Sequence, residues 1–396
     1  MNEYYDAVII GAGIAGVSAA RTIRELDQEL SILLINGEDR PPYKRTKVSK
    51  HIRSGFERDQ FSLFPDEWYK ERRIDVPQGR MATDIDAEGK VVTLDDKSTV
   101  RYGKLLLAPG SEPIFPKVVR PHESDSFFVV RHAKDGERLI RSAKRSKSVL
   151  ISGMGVLSVE LASELASLGK DVTLIGATAQ LIPKQLSLRA SEILEEILSR
   201  KKIKLLFQEE ILSFEQNKKK RMSVQLIRRS GNYDMVVICI GVQPRLELAT
   251  RAGLDTRQGI LVNEHLQTSD PDIYCAGDAA EHPNGEVTWL WHAAEHQGVV
   301  AGKNIAGESA THDDTPFRLK AEILNNYFFS INKPRNPLDY EIEEIENGDR
   351  YWGFYYDGGS LAGMVMINDR DRAKEFERAV RERWSREVVH RTFDLR

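Results

Sequence analysis

The sequence predicts an α/β protein in which two dinucleotide-binding βαβ units are followed by a small α+β C-terminal domain. Three observations carry this prediction. A strand runs into Gly11-Ala12-Gly13-Ile14-Ala15-Gly16, another runs into Gly153-Met154-Gly155-Val156-Leu157-Ser158, and from Thr315 the composition turns aromatic and strand-like. A chain of 396 residues exceeds one ordinary hydrophobic core and suggests two or three domains.

The first unit reads as a strand from Ala7 to Ile10, a glycine turn, a helix from Val17 to Leu26 and a strand from Ser31 to Ile35, which is the Rossmann-like context a dinucleotide fingerprint needs. Its glycines have separate tasks. Gly11 permits the tight turn, Gly13 lets a pyrophosphate approach backbone N–H groups, and Gly16 lets helix and strand close up. The helix N-terminus then holds the anion. Glu38 falls 22 residues after Gly16, near where an acid takes ribose hydroxyls, while Asn36 occupies the more usual strand-end position.

Between Arg40 and Phe56 a loop-like segment carries Arg40, Lys44, Arg45, Lys47, Lys50 and Arg53 with no acidic residue, so an anion is expected nearby. Asp66 to Arg72 reads as a helix, and Val91 to Leu94 and Lys104 to Leu107 as strands. The breaker cluster Ala108-Pro109-Gly110-Ser111-Glu112-Pro113 marks a domain crossing.

The second unit repeats the pattern with a strand from Val149 to Ser152, a helix from Val159 to Leu168 and a strand from Asp171 to Ile175. Here Ser158 replaces the third glycine, and Gly176 stands where an acid would bond the adenosine ribose. A carboxylate there both bonds the 2′-hydroxyl and repels a 2′-phosphate, so Gly176 removes the usual basis for choosing NADH. No arginine follows immediately to favour NADPH. The alternative is a relic unit that holds no nucleotide.

Strand-like stretches from Ile203 to Phe214 and from Met222 to Ile227 flank Asn217-Lys218-Lys219-Lys220-Arg221, which reads as a solvated hairpin tip rather than a nucleic-acid patch. Met235 to Ile240 is a buried strand leading to a second crossing at Gly241-Val242-Gln243-Pro244. Ile273 to Asp278 is a strand ending in Gly277-Asp278, and Trp289 to Ala306 contains a helix. Strand-like pieces then follow at Phe317 to Ile331, Tyr351 to Tyr356 and Ser360 to Ile367. In the closing charged helix Phe376, Val380, Trp384 and Val388 recur every four residues as one buried stripe. The aromatic residues Tyr327, Phe328, Phe329 and Tyr351 to Tyr356 read as core.

Composition excludes several classes. No apolar run approaches the roughly 18 residues of a membrane span and no charged leader precedes an apolar core, so a cytoplasmic protein without a membrane partner is expected. A net charge of −3 gives no electrostatic footprint for nucleic acid. Cys239 and Cys275 lie 36 residues apart in apolar strands with no C-x-x-C, which argues against a metal site and against a local redox disulfide.

Seven motifs occur in order: VIIGAGIAG at Val8, PYKRTKVSK at Pro42, LLLAPGSEP at Leu105, SGMGVLSVELA at Ser152, IGVQP at Ile240, TSDPDIYCAGD at Thr268 and WHAAEHQG at Trp291. On these residues nearly the whole chain resembles the two-dinucleotide flavoprotein reductases of the pyridine nucleotide-disulfide oxidoreductase superfamily, in the NAD(P)H:rubredoxin and ferredoxin reductase branch. The resemblance implies a glutathione reductase-like fold. An FAD-binding domain would comprise residues 1–112 and 246–314, an NAD(P)H-binding domain residues 113–245, and a C-terminal domain over the flavin residues 315–396. It implies cofactor contacts at Gly11, Gly13, Ala15, Gly16, Glu38, Arg45, Lys50, Pro109, Gly110, Gly153, Gly155, Glu160, Gly241, Gly277, Asp278 and Trp291. Asp278 matches the carboxylate that bonds the FAD ribityl or pyrophosphate region, and Arg45 a residue near the cofactor phosphates. Lys50 matches the lysine beside flavin N5, Glu160 matches its partner, and both are expected to be catalytic. Trp291 matches an aromatic near flavin and nicotinamide, and the helix after it points its N-terminus at the flavin pyrimidine edge. The chain departs from the family pattern at Thr46 and Lys47, which replace two prolines, at Pro109, and at His292.

The resemblance implies hydride transfer from NADH or NADPH to FAD, then electron transfer to a small rubredoxin or ferredoxin-type protein. Without a cysteine pair the disulfide route has no carrier. The basic segment from Arg40 to Arg53 offers a docking surface for an acidic carrier, with Lys44 and Lys47 as its candidates. One alternative is a reductase feeding nitrite reductase, an oxygenase or oxygen. Another is an FAD-binding structural or redox-sensing subunit whose nicotinamide site has decayed. Both a monomer and a homodimer are compatible with the sequence.

Overall fold

Two sheets, one mixed and one all-parallel, each in its own unit, organise a computed structural model that describes residues 2–55, 61–116, 126–217, 221–313, 316 and 318–394. Phe56, Lys218-Lys219-Lys220, Thr315 and Phe317, which figure in the expectations above, lie outside the described residues. The first unit comprises Met1–Lys47, Glu57–Glu112 and Val242–Asp314, and the second Val48–Phe56, Pro113–Gly241 and Thr315–Arg396.

In the first unit, strands Ile74–Asp75, Ile32–Ile35, Tyr4–Ile10 and Thr99–Leu107 lie side by side in that order and run parallel. Ile273–Cys275 adds parallel to Leu105–Leu107, which ties the later segment of the unit to its N-terminal sheet. Ile32 to Ile35 and Leu105 to Leu107 are apolar and buried throughout, as strands covered on both faces must be. Val91–Leu94 and Ala82–Asp86 extend the sheet as an antiparallel hairpin. Helices Ile14–Leu26 and Trp291–Ile305 cross with their backbones nearly touching. A Cβ on Gly298 would lie 2.2 Å from the Ala15 carbonyl oxygen, and one on Gly302 2.8 Å from that of Ala19.

The second unit carries an all-parallel sheet in the order Lys204–Phe207, Asp171–Gly176, Ser148–Ser152, Met235–Ile238 and Phe127–Val129. A three-stranded antiparallel sheet of Ile211–Gln216, Met222–Leu226 and Ser230–Tyr233 follows. The stretch from Ile203 to Phe214 is thus two strands in different sheets, not one. Gln208 adopts φ 54°, and buried Glu209 takes the side chains of Arg228 and Arg229, which turns the chain out of the parallel sheet.

The terminal part of this unit is an antiparallel sheet in the order Arg318–Ile323, Asn326–Ile331, Ser360–Ile367, Arg350–Asp357 and Glu341–Asn347. Its first two strands form a hairpin turning at Leu324-Asn325, where φ is 48° and 65°, as a two-residue turn of this hand requires. Phe328, Phe329, Phe354 and Tyr356 are buried. The expected single closing helix is two, Ala373–Arg381 and Arg386–Phe393. Arg383 at φ 51° breaks the run and the Ser385 hydroxyl caps the second helix, so the buried stripe resets from Phe376 and Val380 to Val389 and Phe393. No helix among the described residues is long and apolar enough to cross a membrane.

Candidate functional site

The first glycine turn is tight on one side and open on the other. Gly11 has φ +112°, and a Cβ there would lie 2.0 Å from the Ala108 carbonyl oxygen; one on Gly16 would lie 2.0 Å from the Gly11 carbonyl oxygen. A Cβ on Gly13 would meet nothing within 4 Å. The turn therefore leaves space at the one glycine a phosphate must approach, directly before helix Ile14–Leu26.

Helix caps sharpen that assignment. Asp66–Glu71, Glu247–Arg251 and Ala373–Arg381 carry an acid in the first turn, and Ala133–Ala143 has a capping box of His132 and Asp135. Leu188–Arg200 and Arg386–Phe393 are capped by Ser187 and Ser385. Among the described helices only Ile14–Leu26, Val156–Ser167 and Trp291–Ile305 have neither a side-chain cap nor a first-turn acid. Their N-terminal N–H groups and positive dipole ends are suited to an anionic ligand. These are the same three helices that the sequence assigns to cofactors.

At the end of strand Ile32–Ile35 the fold brings Glu38, Tyr43 and Arg45 together. The Glu38 carboxylate accepts from the Tyr43 hydroxyl at 2.8 Å and from Arg45 Nη2 at 2.9 Å, while the Tyr43 ring stacks on Phe61. Asn36 turns its side chain to the backbone, accepting from the Glu38 N–H and donating to the Arg40 carbonyl. That use explains why Glu38, two residues later, carries the carboxylate.

The returning segment is built as firmly. Gly277 takes φ +84°, and its N–H donates to the fully buried Gln297 Oε1 at 2.7 Å. Gln297 Nε2 in turn reaches His282 Nε2 and the Thr288 hydroxyl. The buried Ser111 hydroxyl donates to Asp278 Oδ2 at 2.7 Å, so one carboxylate oxygen is oriented. Gly110, at φ +71°, offers its carbonyl to the Arg245 N–H. Ala15 packs into the helix crossing against Gly298 and Gly277, and Trp291 begins its helix half-buried.

In the second unit the glycine turn has the same construction. Gly153 has φ +132°, a Cβ there would lie 2.1 Å from the Cys239 carbonyl oxygen, and a Cβ on Gly155 would meet nothing within 4 Å. Ser158 fits where a glycine was expected because it faces Gly153, and its hydroxyl donates to the Cys239 carbonyl. Gly176 has a neighbour that accounts for it: a Cβ there would lie 2.6 Å from Met154 Cγ. The methionine of the turn fills the place from which an acid would extend. Gly241, at φ +128°, accepts from the Ile114 N–H at the second crossing.

Helix Val156–Ser167, which this turn opens, also carries Glu160. Lys50 Nζ lies 3.3 Å from Glu160 Oε1, with the lysine side chain 39% exposed and the glutamate 8%. The Ser49 hydroxyl contacts Glu160 Oε2 at 2.5 Å. Burial pushes the Glu160 carboxyl above the usual carboxylate range, while Lys50 and Ser49 pull it back. Cys239 and Cys275 are both free, and burial pushes the Cys239 thiol up to about 12 and the Cys275 thiol further, which suits neither to thiolate chemistry.

Sequence reasoning missed Ser49, Ser111 and Gln297. Ser49 and Ser111 stand beside residues already singled out, Lys50 and the Pro109-Gly110 breaker. Gln297 lies within the WHAAEHQG motif, but an amide inside a helix does not announce its role until its partner at Gly277 is known.

Two such glycine turns in one α/β chain are the construction of a protein suited to holding two dinucleotides. The chain belongs to the pyridine nucleotide-disulphide oxidoreductase family, whose model matches residues 5–298. It is 28% identical over 384 residues to the assimilatory nitrate reductase electron transfer subunit of Bacillus subtilis, a match covering 95% of this chain and 49% of that protein, so the chain spans about half of that relative's length. It is 32% identical over 307 residues to the NADH-rubredoxin oxidoreductase of Clostridium acetobutylicum, covering 78% of this chain and 76% of that protein. The crystal structure of NADH:rubredoxin oxidoreductase from Clostridium acetobutylicum matches with a TM-score of 0.76 at 25% identity, over 98% of this chain and 100% of that one. By that family's description the chain is an oxidoreductase of the pyridine-nucleotide class.

Proposed function

We propose that this protein is an NAD(P)H-dependent reductase that delivers electrons to a small iron protein of the rubredoxin or ferredoxin type. The observation that carries the reading is the Lys50–Glu160 pair, seated on the helix that the second glycine turn opens. In this reading the first unit holds FAD. The open backbone at Gly13 and the N-terminus of Ile14–Leu26 take the pyrophosphate, Glu38 the adenosine end with Arg45 bonded to it on the side of the phosphates, and Asp278, oriented by Ser111, the ribityl side. Residues 113–245 hold the nicotinamide nucleotide at Gly155 and the N-terminus of Val156–Ser167. The intact turn there supports a working site over a decayed one.

When bound, FAD supplies an acceptor for the nicotinamide hydride and a means of releasing the electrons singly. The chain's own residues set the electrostatics. Lys50, held by Glu160, supplies a fixed positive charge, and the uncapped N-terminus at Trp291 a second one, both of which favour the electron-rich state without reorganisation. With Met154 in the place of an acid at Gly176, the carboxylate that would repel a 2′-phosphate is missing from that position, so both NADH and NADPH are accepted. A cytoplasmic location fits either donor.

Lys44 and Lys47 are half-buried beside Arg45, which Glu38 engages. We assign them to docking an acidic carrier. Turnover with an acidic rubredoxin or ferredoxin is expected to fall several-fold between about 0.01 and 0.3 M salt while reduction of FAD by NADH stays unchanged. Salt-independent turnover would remove the docking role. A second reading, an electron-transfer component for a nitrate- or nitrite-reducing enzyme, is motivated by the match to the Bacillus subtilis subunit, which runs over 384 residues.

A further inference from the structure

Helix Val156–Ser167 presents Glu160 and Glu164, one turn apart, to the segment 48–55. Ser49 and Lys50 meet Glu160, and the Arg53 N–H donates to Glu164 Oε2 at 3.2 Å. We propose that Ser49 is a positioning residue for flavin reduction: its hydroxyl holds Glu160 ionised and in one orientation, so that Glu160 in turn fixes the Lys50 ammonium. The inference rests on the proposed role of Lys50.

Three observations carry it. First, the carboxyl lies in a nearly closed site, with Glu160 side-chain exposure of 8% and Ser49 at 4%, where a charge persists only if its oxygens are hydrogen-bonded. Second, the donors divide the work. Lys50 stands at Oε1 and Ser49 at Oε2, and 2.5 Å lies within the short range of a hydroxyl donating to a carboxylate. Third, Lys50 is 39% exposed and cannot by itself stop the carboxyl from turning, whereas Ser49 is buried and meets the second carboxylate oxygen.

The surrounding charges set the sign of the pH response. Burial disfavours the Glu160 carboxylate and Glu164 opposes it from the same helix, while Lys50 and Ser49 favour it. Strand Arg318–Ile323 packs on this helix but directs Arg318 to Glu377, and leaves Lys320 and Glu322 exposed. Neighbouring strands Ser148–Ser152 and Asp171–Gly176 bring only Asp171, at an exposed strand end. Glu160 therefore titrates above the usual carboxylate range, and its hold on Lys50 is present above that point and lost as pH falls through it. Removing Ser49 takes away a stabilising bond to the charged form and moves the transition to higher pH.

The test uses the FAD-loaded full chain. Stopped-flow reduction by NADH across pH should show an acid limb, which Ser49→Ala displaces upward by about one pH unit. Ser49→Thr should restore it. In parallel, the infrared carbonyl band of protonated Glu160, identified by its absence in Glu160→Gln, should titrate with the same displacement. That band can also be followed in protein without FAD, which decides the matter if the alanine variant loads FAD poorly. A limb and a band that stay in place in Ser49→Ala, while Lys50→Met slows reduction, would overturn the Ser49 role alone. A Lys50→Met variant that reduces normally would overturn the underlying reading and this inference with it.

Discussion

Lys50→Met is expected to slow reduction of bound FAD by NADH or NADPH roughly tenfold or more, with FAD content near that of the parent protein. The size follows from electrostatics: a positive charge placed in advance acts on the charge that develops during reduction, and methionine keeps the length of the side chain while removing the charge. Partial exposure of Lys50 limits the effect through solvent screening, so losses of the size seen when a fully enclosed donor is deleted are not expected. Glu160→Gln should act in the same direction but more weakly, because the ammonium remains while its anchor loses charge. Single-turnover absorbance measurements separate this step from acceptor turnover. Unchanged reduction in Lys50→Met would remove the lysine from the chemistry.

A pair of substitutions in the first glycine turn should separate folding from cofactor binding. Gly11→Ala places a Cβ 2.0 Å from the Ala108 carbonyl oxygen, and does so at φ +112°, where a side chain is strained whatever the space. Relief requires parting strands Tyr4–Ile10 and Thr99–Leu107 at the sheet's centre, at a cost of about 3 kcal/mol or more. Gly13→Val differs in every respect. Gly13 is extended, at φ −75° and ψ −176°, and nothing lies within 4 Å of a Cβ, so the fold should tolerate the change. What valine occupies is the space left for the ligand. The expected result is a large loss of thermal stability without FAD in Gly11→Ala, against near-parental stability and at least about tenfold weaker FAD binding in Gly13→Val. Equal FAD affinity in Gly13→Val and the parent would show that the pyrophosphate lies elsewhere.

How much of this was written in the sequence differs by level. The two βαβ units were legible because the glycine turns sit between an apolar strand and a helix, and a run such as Ile32 to Ile35 admits few readings other than a doubly covered strand. The candidate residues at helix starts were legible for the same reason. What the sequence concealed depends on long-range partners. Ser49 and Glu160 are separated by 111 positions and Ser111 and Asp278 by 167, so neither bond has a local signature. Gly176 could be read as a missing acid, but not that Met154 fills its place. The closing helix was misread because a four-residue recurrence of apolar side chains continues across Arg383, whose positive φ breaks the helix without a proline or glycine to announce it.

In the proposed reaction one chain takes reducing equivalents from a nicotinamide nucleotide on its second glycine turn and places them on FAD held by its first. Anaerobic mixing of the FAD-loaded protein with NADH, and separately with NADPH, tests this most directly. Both nucleotides should bleach the flavin's visible absorption at comparable rates, since Gly176 and Met154 offer no charge to tell them apart. Bleaching by neither, in protein whose flavin dithionite still reduces, would contradict it.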